Sequence, residues 1–160
     1  MRRSELTTLQ VADLEAVRQG LIVTIRHSKT DQEGEGRKIG VPHGRTRHCP
    51  VAAVEAWLSV SGVTTGPVFR PINRHGHIAP DALTGDAVSI ILRDRAKAAG
   101  IGPDGLSGHS LRSGFATSAA EAGVATLKIR ATTGHKSEAG LAPYIRQGEL
   151  FVGSAAGMLL

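Results

Sequence analysis

The sequence predicts an α+β fold that is mainly α-helical and carries a small three-stranded antiparallel sheet. A run at residues 21–25 that is rich in β-branched side chains, with turn-forming residues on both sides, is typical of a strand. Apolar residues at helical spacing, each set followed by a glycine suited to ending a helix, mark residues 84–99 and 110–122. A chain of 160 residues can bury a core of its own, which favours one folded domain.

The first half of the chain contains the predicted sheet. Residues 1–9 have the pattern of the end of a helix. Residues 11–42 are predicted to form the three strands, and the last strand returns over residues 37–41 after a glycine-rich, acidic turn. A helix at residues 49–60 and a loop at residues 64–80, rich in proline, glycine and basic side chains, follow.

Apolar spacing also predicts which face of each later helix is buried. In the helix at residues 84–99 the expected inward residues are Val88, Ile91 and Leu92. In the short helix at residues 124–132 they are Leu127 and Ile129, and in the helix at residues 110–122 they are Leu111, Phe115, Ala119 and Ala122. Arg112 lies at the edge of that last stripe, so we expect it to be partly buried and rigid. Because Pro143 precedes Tyr144, we do not expect this tyrosine in the middle of a helix.

The chain is basic, with a formal net charge of +5 and a pI of about 10.0. This excess of basic residues indicates a polyanionic partner, although ribosomal and membrane-surface proteins have a similar net charge. No apolar run has the length of a membrane span and no leader pattern is present, so we expect a cytoplasmic protein without membrane attachment. Cys49, the single cysteine, fits a reducing compartment.

The seven histidines raise the question of a metal site. His75 and His77 would share one face of a strand, but no cysteine or carboxylate completes a set at ligand spacing. We interpret this pair as structural or solvated, and we predict neither a metal ion nor another cofactor.

Residues 107–144 contain the residue types that phosphoryl transfer uses. His109 and Arg112 are neighbours near the start of a predicted helix, and a fixed guanidinium can grip an oxyanion in bidentate geometry. His135 falls in a predicted turn between helices, where an imidazole can donate to a phosphate oxygen, and Tyr144 follows it. Each motif also has an ordinary interpretation, a solvated helical turn for the first pair and a capping role for His135.

Together these motifs resemble the tyrosine recombinase (phage integrase) family. That family carries an Arg in an Arg-x-x-Glu-Leu helix, a Lys on a β-hairpin, a His-x-x-Arg box, a Gly-His or Gly-Trp box, and a Tyr nucleophile near the C-terminus. The sequence fills these positions in the same order, as Arg2-Arg3-Ser4-Glu5-Leu6, Ser28-Lys29-Thr30, His109-Ser110-Leu111-Arg112, Gly134-His135 and Tyr144-Ile145-Arg146. The agreement extends over nearly the whole chain.

The resemblance implies a clamp around the phosphate at which DNA is cut. Arg2, Arg112 and His135 would stabilise the negative charge of the transition state, as preorganised donors do in other phosphoryl transfers. Glu5 would orient Arg2 from behind. Because two guanidiniums supply the positive charge, the resemblance implies no metal ion.

The resemblance also implies two proton transfers. Lys29, where the second strand ends, would protonate the departing 5′ oxygen, and His109 would assist proton transfer at the nucleophile, Tyr144. The product would be a 3′-phosphotyrosyl DNA link that stores the energy of the broken bond. The implied function is site-specific recombination of double-stranded DNA, as in the integration of mobile elements.

Family members usually have more residues upstream of the first motif. We therefore expect residues 1–160 to be an integrase-type catalytic domain without the N-terminal DNA-clamping domain and the first helices of the catalytic domain. In the full-length form we expect a homo-oligomer, a tetramer, on DNA. Two alternatives stay open: a type IB topoisomerase-like enzyme that relaxes DNA, and a truncated remnant that binds DNA without cleaving it.

Overall fold

The computed structural model describes residues 1–27 and 36–152. Its helices are α1 Arg3–Thr7, α2 Pro50–Ser61, α3 Gly85–Ala98, α4 Gly108–Glu121, α5 Thr126–Thr133 and α6 Glu138–Gly148, and its strands are β1 Leu14–Val17, β2 Gly20–Ile25 and β3 Arg37–Pro42. The predicted fold class, mainly helical with a three-stranded antiparallel sheet, is confirmed.

Contacts between Cα atoms divide the chain into two compact units. The first, the sheet unit, is Arg3–Ala87 and contains all three strands. The second, the helical unit, consists of Met1–Arg2 and the chain from Val88 onward. No helix in the described ranges has the length and apolar character needed to cross a bilayer.

The strands of the sheet unit lie in the order β1-β2-β3 and pair antiparallel. Leu21, Val23 and Ile25 alternate along β2 and are buried, and Ile39 on β3 lies opposite Val23 and is buried with them. This period of two is what a sheet with one covered face requires. Each such side chain contributes roughly 1.5–3 kcal/mol when it is fully buried.

The lone cysteine caps the N-terminus of α2. The backbone N–H groups of Gly44 and Ala52 point at its sulfur, at 3.0 and 3.5 Å. The Ala52 and Gly44 N–H groups lower the pKa of the Cys49 thiol. At the other end of α2, Gly62 takes the left-handed conformation, with φ 66° and ψ 15°, which ends the helix.

The core of the helical unit is made of small residues on α4 and larger ones on its neighbours. Ala116 and Ala120 pack with Ile129 of α5 and Leu141 of α6. The close approach of α6 also requires Gly148, because a Cβ there would lie only 2.4 Å from the carbonyl oxygen of Thr117. These contacts hold α4, α5 and α6 as one scaffold.

The predicted buried face of α4 is wrong at Leu111, Phe115 and Ala122, and only Ala119 of that set packs against the core. Leu111 and Phe115 are 60% and 47% exposed, whereas Arg112 is only 8% exposed and aligns with the buried alanines. The stripe of Ala116 and Ala120 is inward because small side chains admit α6 this closely. Arg112 therefore lies within the packed face of α4 and not at its edge.

Two neighbouring helices show the same kind of error. Leu127 is 66% exposed although Ile129 is buried as predicted, and Ile91 is 46% exposed on α3. Ser89 and Ala96 take the buried positions of α3. On α3 the small residues again face inward. Helical spacing thus identified both helices correctly but misplaced part of their inward faces.

The expectation for Tyr144 is also wrong, because this residue lies well inside α6, which runs through Pro143. Proline removes one backbone N–H, whose acceptor would have been the carbonyl of Ala139 in the first turn. The fixed φ of proline is itself helical, so the helix continues with that single bond missing. Tyr144 is thus held by a regular helix packed on α4.

Candidate active site

The first two site residues are positioned by the start of α4. Ser107 precedes the helix; its N–H donates to Ser110 Oγ at 3.2 Å, and its carbonyl accepts from the Ser110 N–H at 3.0 Å. This reciprocal cap begins the helix immediately before His109. Since positions three apart are adjacent on a helix, His109 and Arg112 lie side by side.

Arg2 is attached to the turn between α5 and α6. Its Nη2 donates to the carbonyl oxygen of Gly134 at 3.1 Å. Gly134 ends α5 in the left-handed conformation, with φ 70° and ψ 38°. This bond brings a guanidinium from the beginning of the chain to the residue directly before His135.

His135 occupies the short turn after Gly134, as predicted. Its Nδ1 lies 2.8 Å from the hydroxyl oxygen of Thr133, the last residue of α5. On the other side, Ser137 caps α6 by accepting the N–H of Gly140 at 3.3 Å. The imidazole is therefore held between two helix ends, and its Nδ1 is engaged by a buried side chain.

Tyr144 meets both histidines from α6. Its hydroxyl oxygen lies 3.1 Å from His109 Nε2, within hydrogen-bonding distance. The rings of Tyr144 and His135 have centroids 6.0 Å apart. Because the half-buried Tyr144 ring packs against the core of the helical unit, its hydroxyl has a defined position beside His109.

A cavity of about 310 Å³ opens beside the tyrosine within the helical unit. Small and polar side chains line it: Ser110, Ser113, Gly114, Thr117, Ser118, Tyr144 and Gln147. Hydroxyl and amide groups of this kind suit a polar ligand with several oxygen atoms. The cavity therefore leaves room for a polar substrate next to Tyr144.

The electrostatics of the site favour an anion. Burial lowers the pKa of His135, and the positive charges of Arg112 and Arg2 together with His109 lower it further. Two cations close enough to act on one imidazole are also close enough to attract a phosphate. No cluster of three or more metal-ligating side chains exists in residues 1–27 and 36–152.

This pKa shift predicts how stability depends on pH. In the unfolded chain His135 regains its ordinary pKa, so between the two pKa values the unfolded chain binds more protons. The free energy of unfolding should therefore fall as pH drops from about 7 through the folded pKa. His135→Gln should make the fall between about pH 7.5 and 5.5 smaller, as measured by urea unfolding at each pH.

The control for this experiment is an exposed histidine of the sheet unit, His77, changed in the same way. Comparison of the two variants shows which part of the change in pH dependence belongs to His135. An identical fall in His135→Gln and the unchanged protein would contradict the assigned direction of the His135 shift.

The helical unit brings together Arg2, His109, Arg112, His135 and Tyr144, although they come from distant parts of the sequence. Their roles stay predictions.

The other two predicted site residues, Glu5 and Lys29, are not among the described residues of the helical unit. Glu5 belongs to the sheet unit, is 2% exposed, and accepts from Arg37 Nη2 at 2.8 Å. Its predicted role behind Arg2 stays a prediction. Lys29 lies outside the described residues.

Sequence reasoning missed two residues that support the site and the sheet. Thr133, which contacts His135, carries no motif, and only its position two residues before the histidine could have suggested it. Arg37, the partner of Glu5, could have been suggested by its place at the start of the returning strand.

Comparisons with known proteins bear on the sequence of the chain and on its fold. The sequence model of the phage integrase family matches residues 1–149. An integrase/recombinase xerD homolog from Selenomonas ruminantium is 40% identical over 155 residues, which cover 96% of this chain and 46% of that protein. The crystal structure of XerA recombinase matches with a TM-score of 0.66 and 23% identity, covering 90% of this chain and 47% of that one. The chain thus spans about half the length of both proteins.

Proposed function

Because the chain belongs to the phage integrase family, we propose that it cuts and rejoins double-stranded DNA in site-specific recombination, with Tyr144 as the nucleophile. The contact between Tyr144 Oη and His109 Nε2, 3.1 Å long, carries this proposal, because a phenol needs a base to attack a phosphodiester at neutral pH. The two arginines near His135 support it, since the reaction builds up negative charge.

In the proposed reaction, the oxygen of Tyr144 attacks the scissile phosphorus while its proton moves to His109 Nε2. The bond from phosphorus to the 5′ oxygen breaks, and that oxygen takes a proton from Lys29. Arg2, Arg112 and His135 hold the phosphoryl oxygens throughout. Rejoining reverses these steps with the 5′ hydroxyl of another strand as the nucleophile, so no external energy source is consumed.

The proposal extends to the assembly. Recombination exchanges strands between two duplexes, and each exchange needs several cleavages, so we propose that the full-length protein acts as a tetramer on DNA. The basic net charge of +5 favours binding to the phosphate backbone of the duplex.

The direct test is to trap the covalent product. The chain is incubated with a pool of nicked duplexes whose sequence around the nick is randomised, so that a cleaved strand loses a short fragment and cannot be rejoined. Recovery of protein that still carries covalently attached DNA after denaturation would support the proposal. Retention of DNA without any covalent product would favour the non-cleaving remnant, and relaxation of supercoiled DNA without strand exchange would favour the topoisomerase.

The proposed role of Lys29 as general acid can be tested by changing the leaving group of the substrate. A general acid matters in proportion to the leaving group's need for a proton, and a sulfur leaves without one. Lys29→Ala should therefore cleave an ordinary phosphodiester about a hundredfold more slowly, yet cleave a 5′-bridging phosphorothiolate at nearly the rate of the unchanged protein. Lys38→Ala on β3 is the control. Equal loss on both substrates would remove Lys29 from the role of acid.

A further inference from the structure

The buried hydroxyl of Thr133 makes two short contacts at the end of α5. Its Oγ1 lies 2.7 Å from the carbonyl oxygen of Ile129 and 2.8 Å from Nδ1 of His135. Both distances are those of ordinary hydrogen bonds, so each pair of atoms has a hydrogen between them. The carbonyl of Arg130, at 3.4 Å, is a weaker second acceptor.

The number of available hydrogens fixes the direction of both bonds. A carbonyl oxygen carries no hydrogen, so the bond to Ile129 uses the single hydrogen of the Thr133 hydroxyl. The hydroxyl then faces His135 with lone pairs only, and the hydrogen of the second bond has to belong to Nδ1. A neutral imidazole has one N–H, so Nε2 of the neutral ring carries a lone pair.

This tautomer decides what His135 offers to a phosphate. The phosphoryl oxygens of a phosphodiester at neutral pH are acceptors, because the group is an anion without a hydrogen. A lone pair on Nε2 repels them. An imidazolium donates from both nitrogens, so Nε2 can hold a phosphoryl oxygen once the ring has taken up a second proton.

We propose that Thr133 is a positioning residue that accepts the Nδ1 hydrogen of His135, so that the ring holds the scissile phosphate only as an imidazolium. Binding of the phosphate then takes up one proton from solvent, and this proton adds to Nε2, where it bonds to a phosphoryl oxygen. The inference rests on the proposed function, because a phosphate is the ligand that needs a donor at Nε2. Thr133 acts through His135 and does not itself touch the substrate.

The surroundings of the ring explain why the second proton arrives with the phosphate. Within the described helical unit, charged or titratable groups from three parts of the chain face the ring: Arg2 and the amino group of Met1, His109 and Arg112 on α4, and Tyr144 on α6. Burial first, and then Arg112, Arg2 and His109, lower the pKa of His135, so the ring is mainly neutral at pH 7. A phosphate anion beside the ring favours its charged form and raises this pKa.

The tautomer can be read without any cleavage, by NMR of the full chain labelled with ¹⁵N-histidine. The chain has seven histidines, and His135 is identified as the one whose signals are missing from His135→Gln. The neutral ring of the unchanged protein and of Thr133→Ser should carry its hydrogen on Nδ1, whereas Thr133→Val should show a mixture of tautomers. Hydrogen on Nε2 in the unchanged protein would overturn the inference, and so would the same tautomer in Thr133→Val.

Proton uptake is measured with sulfate, a tetrahedral anion that does not titrate near neutral pH. At constant ionic strength, the affinity of the unchanged protein for sulfate should rise by about tenfold or more from about pH 8 to pH 6, because an anion that favours the imidazolium binds more tightly as the ring is protonated. In His135→Gln most of this rise should be lost. An equal rise in both proteins would show that His135 takes up no proton.

The pH profile of cleavage separates positioning from a purely structural role. Single-turnover cleavage of the nicked duplexes is measured at about pH 6.5 and 8.5, and the ratio of the two rates is compared between variants, so that the titration of other groups cancels. Without the hydroxyl, a neutral ring can carry its hydrogen on Nε2 and hold the phosphate. The rate of Thr133→Val at the higher pH, relative to the lower, should therefore exceed that of the unchanged protein and of Thr133→Ser by about threefold or more.

A hydroxyl that only supports the fold would slow cleavage equally at both pH values. Equal rate ratios in the three proteins would therefore overturn the proposal. Absence of cleavage in every protein would instead refute the proposed function, and the NMR measurement would still decide the tautomer.

Discussion

Tyr144→Phe should abolish the covalent protein–DNA product while leaving DNA binding unchanged. The substitution removes one oxygen atom, the atom 3.1 Å from His109 Nε2 that we propose as the nucleophile. No other side chain can replace it in the same chemistry, because Tyr144 is the only tyrosine of the chain. The expected loss is therefore complete within detection, and not the partial loss that follows removal of an orienting group.

The same substitution preserves the fold. The ring of Tyr144 packs against the α4, α5 and α6 core, and phenylalanine makes the same apolar contacts. Thermal unfolding and duplex affinity should then match those of the unchanged protein, which shows that the lost product reports chemistry. A covalent product that persists in Tyr144→Phe would end the assignment of the nucleophile.

A matched control uses the exposed Phe115 on α4, which is 47% exposed. The double variant Tyr144→Phe, Phe115→Tyr has the same number of phenols as the unchanged protein but places the phenol elsewhere. It should form no covalent product, because the phenol is then outside the arrangement of His109, Arg112 and His135. A covalent product from this variant would mean that any exposed phenol suffices and that the site geometry is unimportant.

The sheet could be predicted because its cause is local. Residues 21–25 are rich in β-branched side chains, and the period of two that buries Leu21, Val23 and Ile25 is a property of the strand itself. Its pairing with β1 follows from the short turn between Val17 and Gly20. Similar local logic located α2, predicted at residues 49–60 and observed at Pro50–Ser61.

The buried face of α4 could not be predicted in the same way. Leu111 and Phe115 are the largest apolar residues of α4, so hydrophobicity alone predicts that they are the buried ones. The buried face is decided by how closely α6 approaches α4. That approach depends on Gly148, which is far from Leu111 and Phe115 in the sequence. Only the packed structure shows that Arg112 shares its face with Ala116 and Ala120.

In the site, too, local features could be predicted from the sequence, whereas contacts between distant residues could not. The residue types and their order along the chain were visible in the sequence, since each motif is short. The contact between His109 and Tyr144 joins positions 35 residues apart and depends on α4 packing against α6. The contact of Thr133 with His135 was missed because a hydroxyl near an imidazole has no sequence signature.

Arg112→Lys should slow single-turnover cleavage by roughly a hundredfold to a thousandfold, the range for loss of one preorganised donor to a developing anion. The substitution keeps the positive charge and loses the planar fork that can hold two phosphoryl oxygens at once. Arg112 is only 8% exposed, so the protein holds its guanidinium in one place before the substrate arrives. A lysine ammonium in that place is a point charge with a shorter reach.

Binding must be measured beside cleavage to separate geometry from charge. Each neutralised phosphate contributes a slope of about −0.9 to the dependence of log affinity on log salt for duplex DNA. Because both side chains are cationic, Arg112→Lys should keep this slope while the cleavage rate falls. Thermal unfolding of the same preparation should match that of the unchanged protein if the buried lysine is tolerated.

The control is Arg95→Lys, an equal change at an exposed position of α3. It should leave cleavage within about threefold of the unchanged protein, because an exposed charge contributes little once salt screens it. If Arg112→Lys cleaved as fast as Arg95→Lys, positive charge alone would be enough and the proposed clamp would be wrong. If Arg112→Lys instead lost binding and cleavage in the same proportion, Arg112 would hold the ground state as tightly as the transition state, and its contribution would be to affinity and not to catalysis.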